Sequence, residues 1–123
     1  MANIMIIDDS DAIRMVLKDI MIIGKHNLVA ELPSGMEALD GYVKSKPDIV
    51  LLDMAMPKKD GLAVLKEIIA YNQKAKVIMI SASDNQETVK DCIRAGASAY
   101  ILKPFNFQEV LNVIDRVIKS QMG

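Results

Sequence analysis

Residues 49–53 read Ile49-Val50-Leu51-Leu52-Asp53, four aliphatic side chains in an unbroken run closed by a carboxylate. An apolar run without polar alternation is how a strand reads when both faces of its sheet are covered. The same form occurs at Ile4-Met5-Ile6-Ile7, closed by Asp8 and Asp9, and at Val77-Ile78-Met79-Ile80, closed by Ser81. Tyr100-Ile101-Leu102 is followed by Lys103, and Leu28-Val29-Ala30 is a weaker strand candidate. Between these runs the apolar residues recur at helical spacing. The stripes are Ile13, Val16, Leu17 and Ile20; Met36, Leu39 and Val43 within about 35–44; Leu62, Leu65 and Ile69; Val89, Cys92 and Ile93; and Val110, Val113, Ile114, Val117 and Ile118. Five strands alternating with five helices imply an α/β fold, a doubly wound parallel sheet with helices on both faces.

Boundary signals agree. Ser83 with Gln86 and Asn106 with Glu109 have capping-box spacing, and Gly24 and Gly96 sit where a helix C-terminus takes a left-handed residue. Residues 120–123 read as a short polar end. The whole of 1–123 reads as a single domain, the expected count for a chain of this length.

Composition narrows the class. Hydrophobic residues make up 51% and aromatics only 4%, with no Trp, so Ile, Val, Leu, Met and Ala must build the core. A net charge of −1 gives no basic footprint for direct nucleic-acid binding. The lone Cys92 forms no internal disulfide and reads as a small core residue. The apolar runs are too short to span a bilayer, and no signal-like N-terminus is present. The expectation is a cytoplasmic protein without membrane insertion. His26 reads as a solvent-facing loop residue, Arg14, Lys18 and Asp19 as a solvated helix face, and one of Met54 and Met56 as packing inward.

The chemistry-bearing residues gather at the C-terminal ends of the strands: Asp8 and Asp9 at the first, Asp53 at the third, Ser81 at the fourth, Lys103 at the fifth. In open α/β sheets that edge holds ligands. If the first and third strands are neighbours, three carboxylates converge there, and their repulsion calls for protons or a cation. Hard oxygen ligands suit Mg²⁺. With the metal and Lys103 neutralising phosphoryl oxygens, Asp53 could attack phosphorus and form an aspartyl phosphate.

The same residues resemble a known family. Ile6-Ile7-Asp8-Asp9-Ser10, the run from Asp53 through Met56-Pro57 to Asp60-Gly61, Ser81-Ala82, and Tyr100-Ile101-Leu102-Lys103-Pro104-Phe105 are similar, in order, to the motifs of response-regulator receiver domains, and most so to stand-alone chemotaxis regulators. The similarity runs from Asn3 to about Lys119. It implies a flavodoxin-like sheet of order 2-1-3-4-5 and a cis Lys103–Pro104 peptide. It also implies a phosphoacceptor switch rather than an enzyme with an external substrate. Asp53 would take phosphoryl from a histidine kinase or its phosphotransfer domain. Asp9, Asp53 and the Ala55 carbonyl would bind Mg²⁺ with Asp8 assisting, and Lys103 would contact the phosphoryl group. Ser81 would swing toward that group and Tyr100 would then move inward, altering the face of the fourth helix, fifth strand and fifth helix for a downstream protein. The first helix is where phosphotransfer domains dock in such proteins. Ala55 and Ser83 occupy positions that tune phosphate lifetime, and neither carries a carboxylate or amide to orient water.

A monomer working in chemotaxis is the expected form. The alternatives are a phosphorelay shuttle, or a receiver cut from a longer regulator such as a transcription factor. Two other functions fit poorly. An aspartyl-nucleophile phosphatase needs its acid two residues from a nucleophile after the first strand, and a cap domain. A flavodoxin-type electron carrier needs a first loop that cradles a phosphate, which Asp8 and Asp9 would repel.

Overall fold

The computed structural model describes residues 1–122, with side chains described through Ser120. The elements run β1 (Asn3–Ile7), α1 (Asp11–Ile23), β2 (Asn27–Leu32), α2 (Ala38–Ser45), β3 (Ile49–Asp53), α3 (Gly61–Tyr71), β4 (Val77–Ser81), α4 (Gln86–Arg94), β5 (Ala99–Leu102) and α5 (Phe107–Met122). The five strands form one parallel sheet ordered β2-β1-β3-β4-β5. The strand alternation and the order drawn from resemblance both hold. Of the polar end read at 120–123, Ser120 belongs to α5, and the remainder lies largely outside the described side chains.

Successive strand residues serve opposite cores. Ile4, Ile6, Leu51, Ile78 and Ile80 pack with Leu17 and Ile20 of α1 and Val110 and Ile114 of α5. Met5, Ile7, Leu52, Val77 and Met79 pack on the other face with Tyr42, Val64, Leu65, Ile68 and Cys92. Every residue of β3 and β4 is buried, whereas the edge strand β2 leaves Leu28 and Val29 exposed. Among the described residues no helix is long and apolar enough to cross a membrane.

Helix faces were harder to read than helix positions. On α1 the buried side chains are Leu17, Ile20 and Met21, while Val16 faces solvent. On α2, which begins at Ala38 rather than near Gly35, Ala38 and Tyr42 are buried and Met36 is exposed. In both, apolar residues surround more of the helix than the sheet can cover, so docking selects the stripe.

Caps moved as well. Asn85, not Ser83, caps α4, accepting from Glu87 and Thr88 N–H at 2.8 and 3.3 Å. Ser83 instead accepts from Asn85 N–H within the preceding turn. Asn106 caps α5 as expected, accepting from Glu109 N–H at 2.8 Å. Gly96 is left-handed at φ +110°, but Gly24 is right-handed, and Lys25 takes the left-handed place after α1 at φ 59°. The N–H groups of Lys25 and His26 donate to Ile22 and Met21 carbonyls, closing a Schellman motif. The Lys103–Pro104 peptide is cis, and Met56 and Cys92 are buried.

His26 is not a free loop side chain. It is half-buried, and its Nδ1 accepts from Ala2 N–H at 3.1 Å, tying the chain start to the α1–β2 turn. Burial first, then the N-terminal charge, lowers the imidazole below its ordinary 6.5, with Asp115 opposing. The fold therefore favours neutral His26. Its stabilisation is complete above about pH 6.5 and is lost as pH falls toward the lowered folded value. In urea titrations the stability advantage of wild type over His26→Gln is expected to shrink between pH 7.5 and pH 5. An advantage independent of pH would remove the imidazole from that role.

Candidate functional site

The register of the central strands builds the site. Ile7 pairs with Leu52 and Asp53 with Ile80, so β1, β3 and β4 end at one level and their next polar residues meet. Asp8, Asp53 and Ser81 are the buried polar residues among those described, at 1%, 4% and 3% exposure. The Asp8 N–H donates to Leu32 O at 3.1 Å, turning the chain at the end of β1. Asp8 Oδ1 accepts from Ser10 N–H at 2.8 Å, and Ser10 in turn caps α1 by accepting from Ile13 N–H. Asp9, between them, is exposed but keeps a carboxylate oxygen within 4.8 Å of those of Asp8 and Asp53.

Lys103 enters from the end of β5, where its N–H donates to Ser81 O at 2.8 Å. Its ammonium donates to Asp53 Oδ1 at 3.1 Å and lies 3.6 Å from Asp8 Oδ2. Asp8 Oδ2 is buried and accepts no hydrogen bond. One cation thus stands against two buried carboxylates. Burial pushes the Asp53 carboxyl from 3.8 up to about 6; Asp8 and Asp9 add to that, and Lys103 opposes it. Asp8, Asp9 and Asp53 each offer an oxygen within 4.8 Å of the others. An orphaned buried oxygen in an all-carboxylate cluster suits a hard divalent cation that retains water, as Mg²⁺ does. The residues present fit the ion.

Ser81 and Tyr100 are joined through Ser83. Ser81 Oγ accepts from Ser83 N–H at 3.0 Å, and the Tyr100 hydroxyl donates to Ser83 O at 2.9 Å. Tyr100 is half-buried in this arrangement. The inward movement expected of it therefore starts from a ring already tied to the β4–α4 loop. Ala55 is exposed on the loop after Asp53, and Ser83 is half-buried with its hydroxyl engaged as an acceptor.

The site also contains a residue that sequence reasoning set aside. Arg14 is not on a solvated face: its side chain is 11% exposed and its Nη1 donates to Asp8 O at 2.6 Å. Its partner Glu31 lies on β2, seventeen residues away. No local pattern announces such a pair; only an arginine one turn after the acidic corner hinted at it.

The chain is similar to known proteins along nearly its whole length. Residues 4–115 match the response regulator receiver domain family. The chain is 40% identical over 116 residues to the chemotaxis protein CheY of Bacillus subtilis, covering 94% of this chain and 97% of that protein. It is 41% identical over 119 residues to CheY of Listeria monocytogenes, covering 97% and 100%. A chain in the crystal structure of the CheX–CheY–BeF3–Mg²⁺ complex from Borrelia burgdorferi superposes with a TM-score of 0.91 at 36% identity, covering 94% of this chain and 88% of that one. With a family match spanning nearly the whole sequence and a sheet of the same order, the chain belongs to the response-regulator receiver family, as a CheY-like receiver domain of a two-component system.

Proposed function

We propose that Asp53 is the phosphoacceptor and that the chain serves as a cytoplasmic, monomeric chemotaxis regulator. The observation that carries this is the buried Asp53 carboxylate, held by Lys103 at 3.1 Å beside an Asp8 Oδ2 that accepts no hydrogen bond and lies 3.6 Å from the same ammonium. An Asp53 oxygen attacks the phosphorus of a phosphohistidine; the N–P bond breaks, an O–P bond forms, and the leaving imidazole nitrogen takes a proton from solvent water. Asp8, Asp9, Asp53 and the Ala55 carbonyl would hold Mg²⁺, which when bound neutralises charge on the phosphoryl oxygens. Lys103 is already placed to exchange its Asp53 hydrogen bond for one to a phosphoryl oxygen. Ser81 can then turn its hydroxyl toward the same group, giving up the Ser83 N–H. Because Ser83 O also holds Tyr100, that turn reaches β5 and α5.

Tyr100, Asn112, Val113 and Arg116 line a groove at that face, a reasonable seat for the downstream protein target. The phosphodonor, a histidine kinase or its phosphotransfer domain, would approach over α1. Met15, Val16, Ile22 and Ile23 are exposed on that helix at 63%, 45%, 74% and 56%. Such an apolar helix face supports a second reading, a phosphorelay shuttle docking through α1 in both directions. Neither role calls for an external substrate or direct nucleic-acid contact.

The test is intact-protein mass after incubation with acetyl phosphate. A gain of one phosphoryl group is expected with Mg²⁺ and none with EDTA. No adduct, together with no beryllofluoride binding, would overturn the reading. Ala55 and Ser83 carry neither a carboxylate nor an amide to orient hydrolytic water. The adduct is therefore expected to last at least as long as that of a rapid chemotaxis regulator measured in the same buffer; a shorter half-life would refute the tuning role.

A further inference from the structure

The corner that carries Asp8 and Asp9 is held from outside by an ion-pair bracket. Arg14 Nη1 donates to the Asp8 carbonyl at 2.6 Å, and its Nε donates to Glu31 Oε2 at 2.9 Å. Nη2 pairs with Asp11. The other Glu31 oxygen lies 3.2 Å from Lys18 Nζ, so the carboxylate is gripped by two cations. Glu31 pairs in register with Ile6, one residue before the end of β1.

The Asp8 residue is thus tied to β2 at both ends. Its N–H goes to Leu32 O directly, and its C=O goes through Arg14 to Glu31. That carbonyl belongs to the peptide joining Asp8 to Asp9. A peptide is planar, so fixing its oxygen also fixes the direction in which the Asp9 backbone leaves. Arginine suits this task because its rigid fork can serve a carbonyl and a carboxylate at once.

We propose that Arg14, braced by Glu31, is a positioning residue for the metal-binding corner, setting the Asp8–Asp9 peptide so that both carboxylates face Asp53. This rests on the reading that these three carboxylates hold Mg²⁺. The sign of the effect separates positioning from charge. Arg14 is a cation close to the site, so if it acted only through its field, removing it would relieve repulsion and tighten Mg²⁺ binding. Positioning requires the opposite.

Mg²⁺ binding is measured by titration calorimetry, with MgCl₂ as titrant, on wild type, Asp9→Asn, Arg14→Ala, Arg14→Lys and Glu31→Gln. Partners that orient metal ligands typically matter by about 10–100-fold in affinity. A weakening of about tenfold is expected for Arg14→Ala, with a smaller loss for Glu31→Gln and partial rescue by Arg14→Lys, which keeps the charge but not the fork. The saturated rate of phosphoryl uptake from acetyl phosphate should stay within about twofold of wild type, since high Mg²⁺ refills the site. Unchanged or tighter binding in folded Arg14→Ala, with Asp9→Asn weakened, would overturn the positioning role alone. No Mg²⁺ binding by wild type would overturn the site reading and the proposal together. Should Arg14→Ala fail to fold, Glu31→Gln decides: wild-type affinity there overturns the bracket.

Discussion

Asp53→Asn is expected to abolish phosphoryl uptake from acetyl phosphate and, without metal, to make the protein more stable than wild type at pH 8. The amide keeps the shape of the side chain but is not the nucleophile that a carboxylate is. The stability gain follows from the crowding of charge. Asp8 and Asp53 are both buried, and one ammonium, Lys103, stands against the pair. The Asp53 carboxyl rises from 3.8 to about 6, so the fold binds that proton more tightly than the unfolded chain does. Stability from this group is full below about pH 4, declines as pH rises through about 6, and stays low above it. Asparagine carries no such loss, and the difference at pH 8 should be on the order of 1–3 kcal/mol.

Urea midpoints in EDTA at pH 8 and pH 4.5 test this. The asparagine variant should lead at the higher pH, and the lead should narrow at the lower one. Adding Mg²⁺ should reverse the order, because a ligand that binds only the folded state adds about 2.7 kcal/mol at a hundred times its dissociation constant. Equal midpoints at pH 8 in EDTA would show that the buried carboxylates are not in conflict.

Gly61→Ala is expected to produce the largest loss of stability among these variants, about 3 kcal/mol. Gly61 opens α3 and lies against the backbone that carries Asp53, its N–H donating to Met54 O at 2.8 Å. An alanine Cβ there would press on the Asp53 carbonyl oxygen and come within 2.7 Å of Met54 Cα. Both neighbours are main chain, so neither can step aside as the end of a flexible side chain would. Relief requires α3 to move off the end of β3, which also displaces the carboxylate after Leu52. Chemical denaturation should therefore show the loss, and Mg²⁺-dependent phosphoryl uptake should drop by at least about tenfold. A midpoint within about 1 kcal/mol of wild type would mean the loop absorbs the methyl group.

These two sites differ in how far they could be read from the chain. Asp53 was visible because an aliphatic run ends on it. The same signature marked Asp8, Asp9, Ser81 and Lys103, and the structure brings Asp8, Asp9, Asp53, Ser81 and Lys103 into one corner. Gly61 appeared in the motif after Asp53, but its reason, contact with the chain eight residues earlier, is a matter of three dimensions. Arg14 was read as part of a solvated face, but its acceptors lie on another strand and on the Asp8 main chain. His26 was misjudged in the same way: its partner is the amide of Ala2.

Local chain chemistry by itself determined the number and alternation of elements, the double-sided burial of the central strands, and the carboxylates at their ends. Each depends on side-chain type within a few residues. The tertiary structure alone decided which stripe of α1 and α2 faces the sheet, and that one lysine serves two buried carboxylates. It also decided that Tyr100 is coupled to Ser81 through Ser83, and that Arg14 braces the acidic corner from Glu31. The physical reason is common to all of these. A hydrogen bond or ion pair between residues distant in sequence exists only after packing has set their separation, and neither residue type nor spacing encodes that distance.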